Sequence, residues 1–370
     1  MPTCLVLSDA TVHNILISLT KDEILTFLDR IASTLKAFSV TNERSHQPEP
    51  AVINRPDGRK NLFRSFTSPS GVGVKIIVDP SKALATEGSF SDEATRQKMS
   101  GLHGVLTLCD RNGFPEGFIN AEELTGYRTS MSAMILYVRR QRTANIVVFG
   151  AGKQALWHLR LALALRGSEI KRVTVVNRSV GRTKALLETI RKENEEGWKA
   201  DVDFGSMEPG DEAAVESVLG QADVVFCTTP SREVLFPARY LTSQGAGCYV
   251  SAIGSWSPDM IELDPDLVSA VVGMSATDGM VVVDNRDECM HSAGEIVRSG
   301  LEENKVNEIG EILESLTKAE NERQENTKQC LESGYVVYKS VGVSMTDLAA
   351  GQAVLQMARK RGQGITIPEF

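Results

Sequence analysis

The stretch "NIVVFGAGKQA", Asn145–Ala155, decides the fold. Ile146 to Phe149 are apolar and run into Gly-Ala-Gly, then Lys-Gln-Ala. This is the pattern of a buried strand that breaks in a glycine turn and continues as a helix, "KQALWHLRLALALRG". Each small residue has a steric reason. Gly150 permits the tight turn, Gly152 lets a pyrophosphate approach the backbone, and Ala155 lets helix and strand pack closely. The first turn of the helix then presents N–H groups without intrahelical partners, a site suited to phosphate. Lys153 and Gln154 lie on that first turn. Taken alone, the same turn could join strand to helix with no ligand. A second strand, "RVTVVNR", follows the helix. An acidic residue at its end would bind the ribose 2′-hydroxyl of NAD. The chain has Asn177-Arg178-Ser179 there, with Arg182 one turn on. Guanidinium groups neutralise a 2′-phosphate, so the pattern favours NADP(H) over NAD(H). The competing reading of Arg178 and Arg182 is a solvated basic helix start.

Outward from this stretch, "NIVVFG", "RVTVVNR", "ADVVFCTTP", "CYVSAIGS", "AVVGMS" and "GMVVVDN" are short β-branched runs, most of them separated by helical or polar segments. Such alternation predicts a doubly wound parallel sheet. Thr228, Thr229 and Pro230 follow a strand's carboxyl end, where ligands lie in such sheets. Before residue 129 the rhythm differs. "CLVL" reads as a first strand entering a helix, and "TKDEILTFLDRIASTLKAF" as a helix capped by Thr20. "PAVINRPDGRKNLFRSF" reads as two strands around a turn, "GVGVKIIV" as a buried strand, and "GVLTLCDRNGFPEGFIN" as a hairpin. The polar "ATEGSFSDEATRQKMSG" reads as a surface loop, and "AEELTGYRTSMSAMILYVRRQ" as a long helix. The C-terminal segment from Glu325 ends in a long amphipathic helix and has no obvious strand partner in the alternating block. It is expected to return to the first domain. The predicted division is 1–128 with 325–370 as an α+β substrate-binding and dimerisation domain, and 129–324 as the inserted dinucleotide-binding domain.

Composition narrows the classes of function. Lys and Arg total 40 against 48 Asp and Glu, a net charge of −8, which gives no electrostatic reason to expect nucleic acid or an anionic membrane. No apolar run has the roughly 18–20 residues of a membrane span. The N-terminal "MPTCLVLSDATVHNILISL" lacks a basic start, so a signal peptide is not expected and a cytoplasmic location is. The six cysteines and five histidines show no metal-ligand spacing, so no metal site is expected and the thiols read as buried and reduced.

Four segments carry a resemblance. "AEELTGYRTSMSA", "IVVFGAGKQALWHLRLAL", "SAIGSWSPDMIELD" and "YKSVGVSMTDLAAGQAV" occur in that order and resemble the ornithine cyclodeaminase/μ-crystallin family. The similarity runs over roughly residues 45–365. It implies a Rossmann domain inserted into a discontinuous domain, a homodimer, and a small substrate with an α-carboxylate beside an amine or imine carbon. It implies that Arg128 clamps the carboxylate, as a planar guanidinium suits. It implies an active-site lysine at Lys75, which the sequence also marks independently, because a lysine inside an apolar strand is costly to bury without a partner. Lys75 would anchor the carboxylate or move a proton at the substrate nitrogen. Thr129 is implied at a cofactor phosphate. The segments with Ile253 and Gly254, and with Ser340 and Gly342, are implied beside the nicotinamide. Asp347 is implied to be structural rather than catalytic.

Two departures from the family pattern matter. Where cyclodeaminases carry an acid after the strand "YVSAIG", this chain has Trp256, whose N–H only donates. Trp256 can wall a substrate pocket or stack on a substrate ring. That argues for plain hydride transfer to an α-imino acid by an NADPH-dependent reductase, over a lyase with retained NAD or a μ-crystallin-like small-molecule binder. Pro50 stands where many members have a second carboxylate-binding arginine; Arg64, on the strand next to that of Lys75, is expected either to replace it or to read a different substrate group, ahead of Arg55, which lies in the turn "RPDG".

Overall fold

The computed structural model describes residues 3–79, 102–242, 247–318 and 321–370. The segment expected to form the loop at 85–101 lies outside the described residues. The chain divides into two compact units, Met1–Arg128 with Ser344–Phe370, and Thr129–Val343.

The first unit opens with β1 (Cys4–Leu7), α1 (Asp9–Ile17) and α2 (Lys21–Val40). Thr20 caps α2 in a reciprocal box: its hydroxyl accepts from the Glu23 N–H, and Glu23 accepts from the Thr20 N–H. Ile24, Phe27, Leu28, Ile31 and Leu35 form the buried stripe of that helix. There follow β2 (Ala51–Asn54), β3 (Lys60–Ser68), β4 (Gly71–Asp79), β5 (His103–Asp110), β6 (Pro115–Asn120) and α3 (Ala121–Tyr137). The turns of both predicted hairpins are closed by glycines with positive φ, Gly58 at 89° and Gly113 at 87°. In the register of β3 with β4, Arg64 stands opposite Lys75, and Lys75 stands opposite Leu106 of β5.

The second unit runs β7 (Asn145–Phe149), α4 (Lys153–Arg166), β8 (Arg172–Val176), α5 (Val180–Glu193), β9 (Asp203–Met207), α6 (Glu212–Leu219), β10 (Val224–Cys227), α7 (Arg239–Thr242) and β11 (Tyr249–Ala252). It continues α8 (Pro265–Gly273), β12 (Gly279–Val283), α9 (Arg286–Ser292), α10 (Gly294–Ser299), β13 (Asn307–Glu308), α11 (Ile309–Ser315), α12 (Glu322–Ser333) and β14 (Tyr335–Lys339). Its eight strands are ordered β13-β12-β14-β11-β10-β7-β8-β9, every pair parallel. Strands β7, β8 and β9 run one way from the centre and β10 and β11 the other. The order therefore reverses between β7 and β10, which is where such sheets hold ligands. This is the doubly wound Rossmann sheet inserted into a discontinuous α+β unit.

The chain then returns to the first unit through α13 (Ser344–Arg361) and β15 (Ile365–Ile367). The completed first sheet is ordered β15-β1-β6-β5-β4-β3-β2, antiparallel except for the β1–β6 pair. One face of it lies against α13. A side chain at Gly351 of α13 would meet Leu106 and Leu108 of β5 at 2.7 and 2.6 Å.

Three expectations change. "AVVGMS" is not a strand: its first four residues end α8, where Asp264 caps the helix and Pro265 starts it. The segment after Glu325 does have strand partners, because β14 pairs with β11 and β12 and all five of its residues are buried. The return to the first unit therefore comes at Ser344 and not at 325. Third, β9 was not foreseen; its sequence "DFGSM" lacks β-branched residues, and its register on β8 makes it a strand. All six cysteines are free, five of them buried and Cys109 half-buried. Among the described residues no helix is long and apolar enough to cross a membrane.

Candidate active site

In the first unit, β4 and α13 bring together residues 272 positions apart. The Lys75 ammonium lies 2.8 Å from Oδ1 of Asp347 and 2.7 Å from Oδ2. Arg128 Nε, on α3, lies 2.9 Å from the same Oδ1. Lys75 and Asp347 are each 1% exposed and Arg128 4%. Placing these charges away from water is expensive, and their mutual pairing is what offsets the cost. Burial, helped by the Arg128 charge and then opposed by Asp347, pulls the Lys75 ammonium down to about 7. Burial alone would push the Asp347 carboxyl up, but Arg128 and then Lys75 outweigh it and hold it below the usual carboxylate range. Arg64 acts on both electrostatically, as its place opposite Lys75 requires. Two arginines and a lysine thus surround one carboxylate, and the lysine can give or take a proton near neutrality. The sequence read Asp347 as a structural position; it is the common partner of both candidate catalytic residues.

In the second unit, the glycine turn has the features a dinucleotide requires. Gly150 has φ +106°, and a Cβ there would lie 2.8 Å from Thr228 Oγ1. Gly152 is the N-cap of α4, no side chain caps that end, and a Cβ at Gly152 would meet nothing within 4 Å. A helix start without a side-chain cap, with room beside its N-cap glycine, is what phosphate binding demands. Ala155 is fully buried, in keeping with close helix packing. The donor set therefore fits a dinucleotide. Ser130 donates to Gln154 of this first turn. At the end of β8, the Asn177 amide donates to Ser179 O and Thr183 Oγ1, shaping the turn, and the Ser179 hydroxyl caps α5. Arg178 and Arg182 are exposed beside it, and neither forms an ion pair among the described residues. Trp256 is half-buried in the loop after β11. Asp259, the nearest acid after it, is exposed and pairs with Arg232 at 3.2 Å.

The loops that follow the strands carry more buried charge than the sequence suggested. Thr228 donates its hydroxyl to Phe149 O. The Thr229 N–H and the Gly254 N–H both go to the fully buried Glu262, at 2.7 Å each. The Ser340 hydroxyl and the Gly342 N–H both go to buried Asp284, at 2.6 and 2.7 Å. Lys339, fully buried at the end of β14, lies 3.0 Å from Glu295 and donates to Ser255 O. Glu262, Asp284, Glu295 and Lys339 were not singled out in the sequence. Lys339 carried much the same signal as Lys75, a lysine beside strand residues that are otherwise apolar or aromatic, and Glu262 sits inside the apolar run "MIEL".

Comparison with known proteins bears on this arrangement. The Δ1-pyrroline-2-carboxylate reductase of Bacillus cereus is 24% identical over 269 residues, covering 71% of this chain and 73% of that protein. The ketimine reductase mu-crystallin of Mus musculus is 24% identical over 255 residues, 68% of this chain and 67% of that one. The structure of Thermococcus litoralis Δ1-pyrroline-2-carboxylate reductase, in complex with NADH and L-proline, superposes with a TM-score of 0.72 over 98% of this chain and 100% of that chain, at 17% identity. Residues 89–362 match the ornithine cyclodeaminase/mu-crystallin family as a whole, and the chain belongs to it.

Proposed function

We propose that the chain is an NAD(P)-dependent oxidoreductase that reduces the C=N bond of a small α-imino acid, with NADPH as the preferred donor. The observation that carries this reading is the buried Lys75–Asp347–Arg128 cluster, which pairs carboxylate-binding chemistry with a lysine able to exchange a proton near pH 7. Relatives that reduce such imines support it.

Arg128 binds the substrate carboxylate by charge-assisted hydrogen bonds, with Asp347 holding its Nε in place. Arg64 takes the role of a second carboxylate contact from the neighbouring strand. A bound carboxylate adds negative charge beside Lys75 and favours its ammonium form. Lys75 then passes its proton to the imine nitrogen, and the cationic iminium is the better hydride acceptor. The nicotinamide, when bound, supplies the hydride to the imine carbon. Trp256 contributes an apolar wall and no acid–base group.

The dinucleotide is bound through the N-terminus of α4, at Gly150, Gly152, Lys153 and Gln154, with Thr129 at phosphate. Thr228, Thr229, Ile253, Gly254, Ser340 and Gly342 shape the surrounding loops, Asn177 and Ser179 shape the end of β8, and Arg178 and Arg182 hold the 2′-phosphate. The preference for NADPH rests on those two exposed guanidinium groups and the lack of an acid at the end of β8. A homodimer belongs to the same reading: β2 is an edge strand with all four residues exposed, the kind of surface a second copy covers. Light scattering of the purified chain tests it. For the reaction, the experiment is consumption of NADPH and of NADH with Δ1-pyrroline-2-carboxylate and Δ1-piperideine-2-carboxylate. Oxidation of either donor by either imine supports a reductase. No consumption of either, with ammonia released from ornithine or lysine, would replace it by a cyclodeaminase.

A further inference from the structure

Glu262 is fully buried and accepts four hydrogen bonds from two separate loops. Oε1 receives the Thr229 N–H at 2.7 Å and its hydroxyl at 3.1 Å, from the loop after β10. Oε2 receives the Gly254 N–H at 2.7 Å and the Ser255 N–H at 3.3 Å, from the loop after β11. The two loops are in close contact at this point, since a Cβ on Gly254 would lie 2.1 Å from Thr229 O. Behind the carboxylate, Lys339 of β14 donates to both Ser255 O and Ser255 Oγ at 2.5 Å, and Glu295 of α10 accepts from the Ser255 hydroxyl at 2.9 and 2.8 Å. Burial, joined by the Glu295 charge, pushes the Glu262 carboxyl up to about 7, while Lys339 and the Thr229 and Gly254 N–H groups work against that rise. The loops it joins follow β10 and β11, the two strands beyond the reversal of sheet order at β7.

We propose that Glu262 is a positioning residue for the dinucleotide: a clamp that fixes the loops after β10 and β11 against each other, with the Lys339–Glu295 pair locking Ser255. The clamp touches no reacting atom. It acts by holding Thr229 and Gly254 in the conformation that receives the cofactor, so ordering of these loops is supplied by folding and is not taken from binding energy. The role rests on the dinucleotide reading of this unit. An isosteric amide breaks it asymmetrically, because a glutamine can accept from one loop but turns an N–H₂ toward the donors of the other.

The test uses the full chain with Glu262→Gln and Glu262→Asp. Hydrogen exchange is read at the Thr229 and Gly254–Ser255 amides without cofactor, NADPH and NADH dissociation constants are read by fluorescence, and the imino-acid KM at saturating cofactor is measured. In Glu262→Gln, one of the two loops should exchange faster, and dinucleotide affinity should weaken roughly tenfold or more, the scale of hydrogen bonds to a charged group. The imino-acid KM should hold within about twofold. Glu262→Asp keeps the charge that Lys339 faces and should fall between, so the test survives if the glutamine variant does not fold. Unchanged exchange in both variants overturns the clamp. Faster exchange with unchanged dinucleotide affinity overturns its role toward the cofactor and leaves the dinucleotide reading standing. Wild-type protein that binds neither dinucleotide overturns that reading, and the proposal with it.

Discussion

Replacing Lys75 by Met tests whether the lysine is desolvated in the folded protein, on which the proposed proton chemistry depends. Met keeps most of the stem and removes the charge, while Asp347 keeps Arg128 as a partner. Folding takes the ammonium from its ordinary value of 10.5 to about 7. Between these values the unfolded chain holds the proton and the folded chain releases it, so stability rises with pH across the window. It is lost again as the pH falls through the folded value. One pKa unit is about 1.4 kcal/mol, so the full difference approaches about 5 kcal/mol. Lys75→Met removes this slope. The stability of wild type relative to the variant should therefore grow by about 1.4 kcal/mol per pH unit from pH 7 upward. In a unit of this size that is roughly 3–6 °C of melting temperature per pH unit. The assay is the melting temperature of both proteins, without ligand, at a series of pH values above 7. A gap that stays constant would refute the desolvated lysine. A gap that shrinks would show that the Asp347 carboxylate keeps Lys75 protonated in the folded protein, and would remove Lys75 as an acid working near neutrality.

Three further outcomes follow from the same geometry. Arg128→Lys should lower kcat/KM for the imino acid by about 2–3 kcal/mol in transition-state terms, because an ammonium lacks the planar fork that could grip a carboxylate bidentately while Nε stays on Asp347; steady-state kinetics reads it. Arg64→Ala should raise the imino-acid KM while leaving the NADPH dissociation constant unchanged, and an unaltered KM and turnover would remove Arg64 from the site. Exchanging Arg178 and Arg182 together for Glu should lower kcat/KM with NADPH by roughly tenfold or more and spare that with NADH, since the changed charges repel a 2′-phosphate.

How much of this could be read from the sequence follows from the range of the interactions involved. The Rossmann turn was legible because its signal is local: a strand, two glycines and a helix start within eleven residues, each with its own steric reason. The Thr20 cap and the two glycine-closed hairpins were legible for the same reason. Strand β9 was not, because its pairing with β8 and not its own composition makes it a strand. The segment "AVVGMS" misled because a short apolar run suits a buried strand and a helix end equally, and the deciding residues, Asp264 and Pro265, lie outside it. The site divides along the same line. Lys75 announced itself as a charge in an apolar strand, and Lys339 made the same announcement without being singled out. What no local pattern contains is which carboxylate answers each lysine. Asp347 reaches Lys75 across 272 positions, and Lys339 of β14 meets Glu295 of α10 at 3.0 Å. A buried lysine in a sequence therefore implies that a partner exists, since the cost of leaving it alone is prohibitive, and only the fold identifies that partner. Here the two lysines are answered differently. Burial draws Lys75 down to about 7 against a single carboxylate shared with Arg128, while Glu295 and then Glu262 outweigh the effect of burial on Lys339 and hold it above its ordinary value. The first suits the proposed proton exchange and the second a fixed charge, and that difference supports chemistry for one and bracing for the other.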